Sequence, residues 1–551
     1  MAEFTNIDLN NSETLVNTTS IHKVDSKETI AMPLRFKKTR NILISGTIAV
    51  GGIILGYDTG SISGMLNMPA YIRVLGDADR SVYPPTYFIP SWRSGLVVGA
   101  VSLGGLFGSF LFGKAADRFG RRLTLAGTTG LLCISTLSQG AGYMYWPVVF
   151  SARLCTGLAI GGISAVCPMY ISETAASPSL QTLLISSFQL LLTIGILIGQ
   201  GVAYGASNLP NWSIWQFMLP LLGVLLFAMP LCVVALLGII PESTKYLVSN
   251  GKIAEAKKSI AQITGLSADD KYIAEQVDIA VNTHKATLGE GDASWKQIFD
   301  VSSKMRYRVI LAIGVMMLQQ LSGINYFFYY GTSLFKEICG GNASDGSAGL
   351  SPYATSMILG SVNIIGTICL LPLVCKFPRR IVLLTGTAVM LVAFIAFSTL
   401  GQFFLRNSTT LVINPAVGYT MIGLVCIFIV GFAGTWAPCA FVVISEMFPL
   451  HHLRSMAISL AVASNWFINS CITFMSPIAT RYLGYAFGYV FSGFLVLAMF
   501  VVYFFVYETK GLLPGQIEEM FTSNEVTPRN SETWRKRKVF ANESMRTEEK
   551  V

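Results

Sequence analysis

Arg118-Phe119-Gly120-Arg121-Arg122 follows one long apolar run, and Lys376-Phe377-Pro378-Arg379-Arg380 follows another of similar length. Each sets a turn residue, Gly120 or Pro378, inside a basic cluster, which reads as a short loop between helices. Two more landmarks recur in the same order. Ile171-Ser172-Glu173 is answered by Ile444-Ser445-Glu446, and Pro241-Glu242-Ser243-Thr244 by Tyr507-Glu508-Thr509-Lys510. The offsets are 258, 273 and 266 residues (377 − 119, 446 − 173 and 508 − 242). Chance basic loops would not keep one spacing, so the chain reads as a duplicated unit.

Composition says what is duplicated. Of 551 residues, 52% are hydrophobic and 13% charged, and mean hydropathy is +0.57. So few charges could not cover a soluble protein of this size. Apolar runs cover roughly 41–64, 94–116, 123–143, 147–171, 182–205 and 212–240, then 308–332, 353–375, 380–401, 415–445, 455–480 and 484–507. Each is near the ~20 residues that cross a hydrocarbon core, and the longer ones imply tilt. The expected fold is an all-α membrane protein, with twelve transmembrane helices in two six-helix halves, 41–240 and 306–509. Residues 1–40 are polar and show no cleavable-signal pattern, so they read as a cytoplasmic tail, as do residues 510–551.

Basic residues set the orientation. With both termini inside, the inner loops and the inner ends of the spans hold 32 of the 39 Lys and Arg residues, the outer loops six, and Arg153 alone lies deep in a span. That is the positive-inside bias, so the +9 net charge reports topology and not nucleic-acid binding. Between the halves, 241–305 reads as a cytoplasmic helical linker. Ser267-Ala268-Asp269-Asp270 marks a helix start before Ile273, Val277 and Val281, and Lys252 to Ile263 has similar character. The linker lacks a Gly-rich phosphate loop. Ten cysteines fall singly, with only Cys339 in an outer loop, and none has metal-ligand or disulfide-framework spacing. His451 and His452, in an inner loop, read as solvated. Arg535-Lys536-Arg537-Lys538 could meet anionic lipid, but a solvated, disordered run is the preferred reading.

Polar groups inside spans carry the chemistry. Gln319-Gln320-Leu321-Ser322-Gly323-Ile324-Asn325 in the seventh span gathers amides, which both donate and accept hydrogen bonds without charge. A neutral polyhydroxy ligand matches that inventory, whereas a cation would call for carboxylates. On an ideal helix Gln320 and Asn325 stand ~140° apart, so they converge only if Ser322-Gly323 bends or unwinds the span. Gln189, Gln200, Asn363, Asn465 and Asn469 are further amides in spans, although a single such amide more often bonds a neighbouring helix. Phe441 and Trp466 could wall the CH faces of a sugar ring. Gly157, Gly161 and Gly162 read as close helix contact.

In the first span, Gly56-Tyr57-Asp58-Thr59-Gly60-Ser61-Ile62-Ser63-Gly64 places a carboxylate at membrane depth, which costs ~2.5–3.5 kcal/mol on insertion scales. Arg153 in the antiparallel fourth span comes to a similar depth at 1.5 Å per residue. The two are expected to neutralise each other.

These motifs resemble those of the sugar porters of the major facilitator superfamily, and most of all the fungal hexose transporters. The resemblance covers roughly 40–520. It rests on GYDTGSISG, Asp117 with the Arg118–Arg122 loop, RLCTGLAIGG from Arg153, PEST at 241–244, QQLSGINYFFYYGT from Gln319, TWAP at 435–438 with FVVISEMFP after it, Asn465-Trp466, and YETKG at 507–511. The resemblance implies sugar hydrogen bonds from Gln189, Gln319, Gln320, Asn325 and Asn363 and a specificity aromatic at Phe441. With Trp466 and Asn469 these form the expected substrate set. It also implies a cytoplasmic gate of Asp117, Arg118, Arg121, Arg122, Glu173, Glu242, Arg379, Arg380, Glu446, Arg454 and Glu508. Departures from the family pattern stand at Gln181-Thr182, at Pro378, and where an acid would precede Arg379. On that reading Glu173 has lost its nearest basic candidate, while Glu446 keeps Arg454.

The function expected from the residues and the resemblance together is hexose transport by alternating access, with facilitated diffusion slightly favoured over proton symport through Asp58 and Arg153. A non-transporting glucose sensor is the alternative of another class, disfavoured by the short tail after YETKG. A drug antiporter is weakened by the amide cluster. No nucleophile–base constellation suggests an enzyme, and no cofactor is expected. The partners expected are a small neutral sugar, the bilayer and possible protons. The expected carrier is a plasma-membrane monomer, with Asn342 and Asn407 as outer-loop glycosylation candidates.

Overall fold

The computed structural model describes residues 38–548 apart from 80–85, 143–144, 175–177, 211–212, 268, 289–303, 339–350, 406–413, 449–453, 513 and 524. Asn342, Asn407, Cys339, His451 and His452 lie outside the described residues. The first half comprises α1 (Lys38–Met65), α2 (Pro69–Leu75), α3 (Ser91–Phe119), α4 (Arg121–Ala141), α5 (Trp146–Thr174), α6 (Pro178–Ser207) and α7 (Ile214–Leu236). Three shorter helices follow: α8 (Thr244–Ser249), α9 (Ile253–Thr264) and α10 (Lys271–Leu288). The second half holds α11 (Met305–Leu321), α12 (Ile324–Ile338), α13 (Pro352–Lys376), α14 (Arg379–Phe403), α15 (Pro415–Ala433), α16 (Trp436–Met447), α17 (Arg454–Leu483) and α18 (Phe487–Phe505). Two helices end the chain, α19 (Pro514–Thr522) and α20 (Ser531–Glu548).

By length and composition, ten stretches qualify as candidate spans. One of them, Met456–Phe505, contains most of α17 and all of α18. The twelfth span is α4, whose apolarity is diluted by buried Thr124, Thr128, Thr129, Ser135, Thr136 and Gln139. The Thr128 hydroxyl bonds the Leu125 carbonyl at 2.9 Å, and Gln139 reaches Thr156 Oγ1 at 2.8 Å, so these groups are satisfied without water. Two spans are broken. Gly323, at φ +90°, separates α11 from α12, and Thr435 (φ −129°, ψ −78°) interrupts α15 and α16. Left-handed backbone favours glycine at 323, and an added Cβ would also lie 2.8 Å from Phe491 Cγ.

The glycines of GYDTGSISG explain how α1 packs. A Cβ at Gly56 would lie 1.9 Å from the Leu192 carbonyl oxygen, and one at Gly60 would lie 2.1 Å from that of Ile196. Without side chains, α1 and α6 touch backbone to backbone, the close approach on which membrane helices rely. Gly157 and Gly161 on α5 meet Val101 and Gly105 of α3 in the same way. Each half has its own apolar core. In the second half Phe327, Phe394 and Phe428 pack together with centroids 5.0 to 5.4 Å apart, Phe428 meeting the other two rings edge to face. The halves meet along α3 and α17, where Gly105 faces Trp466, and along α6 and α13, where Gly360 faces Gln200.

The carboxyl-terminal tail corrects an expectation. The run Arg535–Lys538 is not disordered but lies on α20, whose Trp534 and Val539 pack against the second-half core. Ile517, Met520, Phe521 and Val526 are buried beneath that half, so tertiary burial orders a polar segment.

Candidate functional site

A cavity of about 130 Å³ lies between the halves, walled by α1, α5 and α6 on one side and by α11, α12, α13, α16 and α17 on the other. Gln189, Gln319, Gln320, Asn325, Asn363, Phe441, Trp466 and Asn469 all line it, as does Asp58. The break at Gly323 turns Asn325 back onto Gln320, and its amide donates to Gln320 Oε1 at 2.5 Å and to Asn469 Oδ1 at 3.0 Å. Gln320 Nε2 in turn donates to Asn465 Oδ1 at 2.7 Å, and Asn465 Nδ2 to Gln319 Oε1 at 2.9 Å. Gln319 is anchored through Nε2 to the Trp436 carbonyl at 3.0 Å, beside the second helix break. The result is a chain of amides polarising one another, with spare lone pairs and protons on the cavity. Gln189 of α6 on the opposite wall and Asn363 of α13 also present amides to it, and neither has a side-chain partner among the described residues.

Sequence reading left Asn465 outside the substrate set, yet it joins Gln319 to Gln320. The available signal was its position one turn before Asn469 on α17, which puts both on one face. Tyr329, Ser164 and Thr59 also line the cavity without having been expected. Ser164 holds Trp466 in place by accepting from Nε1 at 3.0 Å.

Asp58 Oδ2 lies 3.4 Å from Arg153 Nη2. Arg153 is 2% exposed, and its Nε donates to the Val97 carbonyl at 3.1 Å. At this end of the bundle α1 meets α12 through buried hydroxyls: Ser63 Oγ and Thr332 Oγ1 are 2.9 Å apart, and Thr332 Oγ1 and Ser356 Oγ are 2.8 Å apart. At the other end Arg454 of α17 donates to Ser172 Oγ of α5 at 3.2 Å. The cavity is therefore bridged across the two halves on both sides. Phe441 separates it from a smaller cavity of about 20 Å³ next to Ser172 and Ser445.

The charged clusters repeat between halves almost atom for atom. Glu242 accepts the Arg121 backbone N–H at 2.8 Å, and Glu508 accepts that of Arg379 at 3.0 Å, each carboxylate capping the start of a helix. The Arg121 side chain pairs with Glu173 at 2.9 Å, and that of Arg379 with Glu446 at 2.8 Å. Ser243 Oγ donates to Glu173 at 2.5 Å, and Thr509 Oγ1 to Glu446 at 2.6 Å. Two expectations are corrected here. Glu173 has not lost its partner, because the loop between α3 and α4 returns Arg121 to it. Glu446 pairs with Arg379 and not Arg454, which crosses to Ser172 instead. Asp117 adds a 3.1 Å contact to Arg121, and Cys375 stands at the matching point of the second loop. Arg118 stacks on Phe119 at 5.5 Å, Arg122 N–H reaches Glu242 at 3.2 Å, and Arg380 binds the Pro528 and Tyr503 carbonyls, each at 2.6 Å. Burial, then Arg379 and Arg535, hold the Lys510 ammonium below its usual pKa.

Residues 44–521 match the family model described as "Sugar (and other) transporter". The chain belongs to the sugar transporter family. Among its relatives, hexose transporter HXT10 of Saccharomyces cerevisiae is 34% identical, over 88% of this chain and 86% of the relative. A galactose transporter of the same yeast is 35% identical, over 88% and 82%. A low-affinity glucose transporter of Kluyveromyces lactis is 36% identical, over 88% and 83%. Among solved structures, the proton:xylose symporter XylE bound to 6-bromo-6-deoxy-D-glucose aligns with a TM-score of 0.70 at 24% identity, over 88% of this chain and all of that one. XylE from E. coli, partially occluded and inward open, gives 0.65 at 24%, over 86% and 100%. At that identity the likeness carries the fold, the twelve-helix major facilitator arrangement of the sugar transporter family.

Proposed function

We propose that this protein carries a hexose of the glucose type across the membrane, its two halves closing alternately around the amide-lined cavity. The single observation that carries the reading is the network Gln319–Asn465–Gln320–Asn325–Asn469, which shares the cavity with Gln189 and Asn363, amides that have no side-chain partner among the described residues. Neutral groups that both donate and accept suit a ring of hydroxyls, and Phe441 and Trp466 offer apolar faces to its CH edges. Relatives named for hexose, glucose and galactose, at 34–36% identity, support the same substrate class. The paired clusters at Glu173 and Glu446 act as the gate at the cytoplasmic end. The carrier works as a monomer in the plasma membrane, with both termini cytoplasmic and Asn342 and Asn407 outside. A membrane-impermeant thiol reagent is expected to label a cysteine placed at position 345 on intact cells. Labelling only after permeabilisation would reverse the orientation.

Facilitated diffusion is favoured because Asp58 serves as the counter-charge of buried Arg153, a structural task within the bundle. Proton symport is the second reading, since Asp58 also borders the cavity. Labelled-glucose uptake in cells lacking their own carriers is expected to be saturable and unchanged by a protonophore. In Asp58→Asn, downhill uptake and exchange should fall together. Collapse of native uptake by the protonophore, with exchange spared in the variant, would establish symport instead.

A further inference from the structure

Arg308, in the first turn of α11, is wholly buried, an unusual position for a cation that takes no part in the cavity. Its guanidinium grips Glu518 of α19 through two bonds, Nη1 to Oε1 at 2.8 Å and Nη2 to Oε2 at 2.6 Å, and lies 4.3 Å from the Phe521 ring centroid. Such a two-pronged pair fixes orientation as well as distance. Its neighbours reinforce it. Lys304 Nζ donates to the Ser523 carbonyl at 2.9 Å, and Tyr307 OH to that of Phe505 at 2.6 Å.

The same carboxyl-terminal segment holds the second-half gate. Ser531 Oγ accepts the Glu508 backbone N–H at 3.2 Å, and the Pro528 carbonyl accepts Arg380 Nη1 at 2.6 Å. Glu508 in turn caps α14 through the Arg379 and Arg380 N–H groups, each at 3.0 Å. The other end of α11 carries Gln319 and Gln320, some 17 Å away at 1.5 Å per residue. One rigid helix therefore joins the cavity amides to a segment that holds the gate acid. In the first half Ser259 backs Glu242 at 2.6 Å, but no described residue of α1 makes a buried guanidinium–carboxylate tie to the helices beneath it.

We propose that Arg308 and Glu518 are positioning residues of the transport cycle, making α11 and the Glu508 gate move as one body when sugar occupies the cavity. The proposal rests on the transporter reading above. Its test is the split between binding and turnover in the purified full-length protein, with D-glucose as probe. Glu518 is 25% exposed at its side chain, and Glu518→Gln removes its charge while keeping an amide oxygen to accept from Arg308. An exchanged pair controls for the buried guanidinium that this variant leaves without a counter-charge. Sugar Kd, followed by tryptophan fluorescence, is expected to stay within about twofold of native while net transport in proteoliposomes falls about tenfold, an ordinary size for two-state coupling. The exchanged pair Arg308→Glu with Glu518→Arg should recover transport. Unchanged turnover in Glu518→Gln, or equal loss of binding and turnover without recovery in the exchanged pair, would overturn the proposal. Native protein that moves no sugar would instead refute the transporter reading.

Discussion

Asn325→Ala is expected to weaken glucose binding by roughly tenfold to a hundredfold while the protein still inserts and folds. The Asn325 amide donates to Gln320 and to Asn469, so its removal leaves Gln320 Oε1 on the cavity without a donor, while Asn469 Oδ1 keeps only the Thr473 hydroxyl. Each unsatisfied buried group costs ~1–3 kcal/mol, and a sugar hydroxyl would then meet a loosened wall. Gln320→Ala should act in the same direction, since Gln320 holds both Asn325 and Asn465. Contacts shared within one network do not add, so the double variant should lose less than the sum of the two. Titration of purified variants with D-glucose checks this. An affinity within twofold of native in both would remove the amide network from the site.

The second large effect concerns folding. Gly56→Ala is expected to destabilise the protein by more than about 3 kcal/mol, because the new Cβ would fall 1.9 Å from a carbonyl oxygen of α6. Backbone cannot rotate away as a flexible side chain can, so α1 and α6 must separate along their length. Gly46→Ala in the same helix is the control, since nothing lies within 4 Å of its added Cβ. Thermal unfolding in detergent should show Gly46→Ala at or above native and Gly56→Ala far below. Equal melting temperatures for the two would mean that α1 and α6 do not pack as described.

Much of this architecture was legible in the sequence because the bilayer simplifies the problem. Span length and the placement of Lys and Arg follow from a thickness and a charge rule, and neither needs tertiary contacts. Ser322-Gly323 was readable as a break because only such a step lets Gln320 and Asn325 meet. The Glu173 pairing was not readable by searching the residues near it. Arg121 lies 52 residues earlier and arrives only through the fold of α3 and α4. Asn465 was missed for a related reason, since one amide in a span looks the same whether it bonds a helix or lines a cavity. The ordered carboxyl-terminal helices escaped because their stability comes from burial under the second half, through Ile517, Phe521 and Arg308, and not from their own composition.

The central claim is that the amide cavity binds a hexose that the two halves then release on the opposite side. Counterflow in proteoliposomes tests it most directly, with purified protein, unlabelled D-glucose inside, labelled D-glucose outside and no pH gradient. The expected result is transient accumulation of label above its external concentration, absent with L-glucose and strongly reduced in Asn325→Ala. Label entry no greater than into protein-free vesicles, from native protein that melts as a folded species, would contradict it.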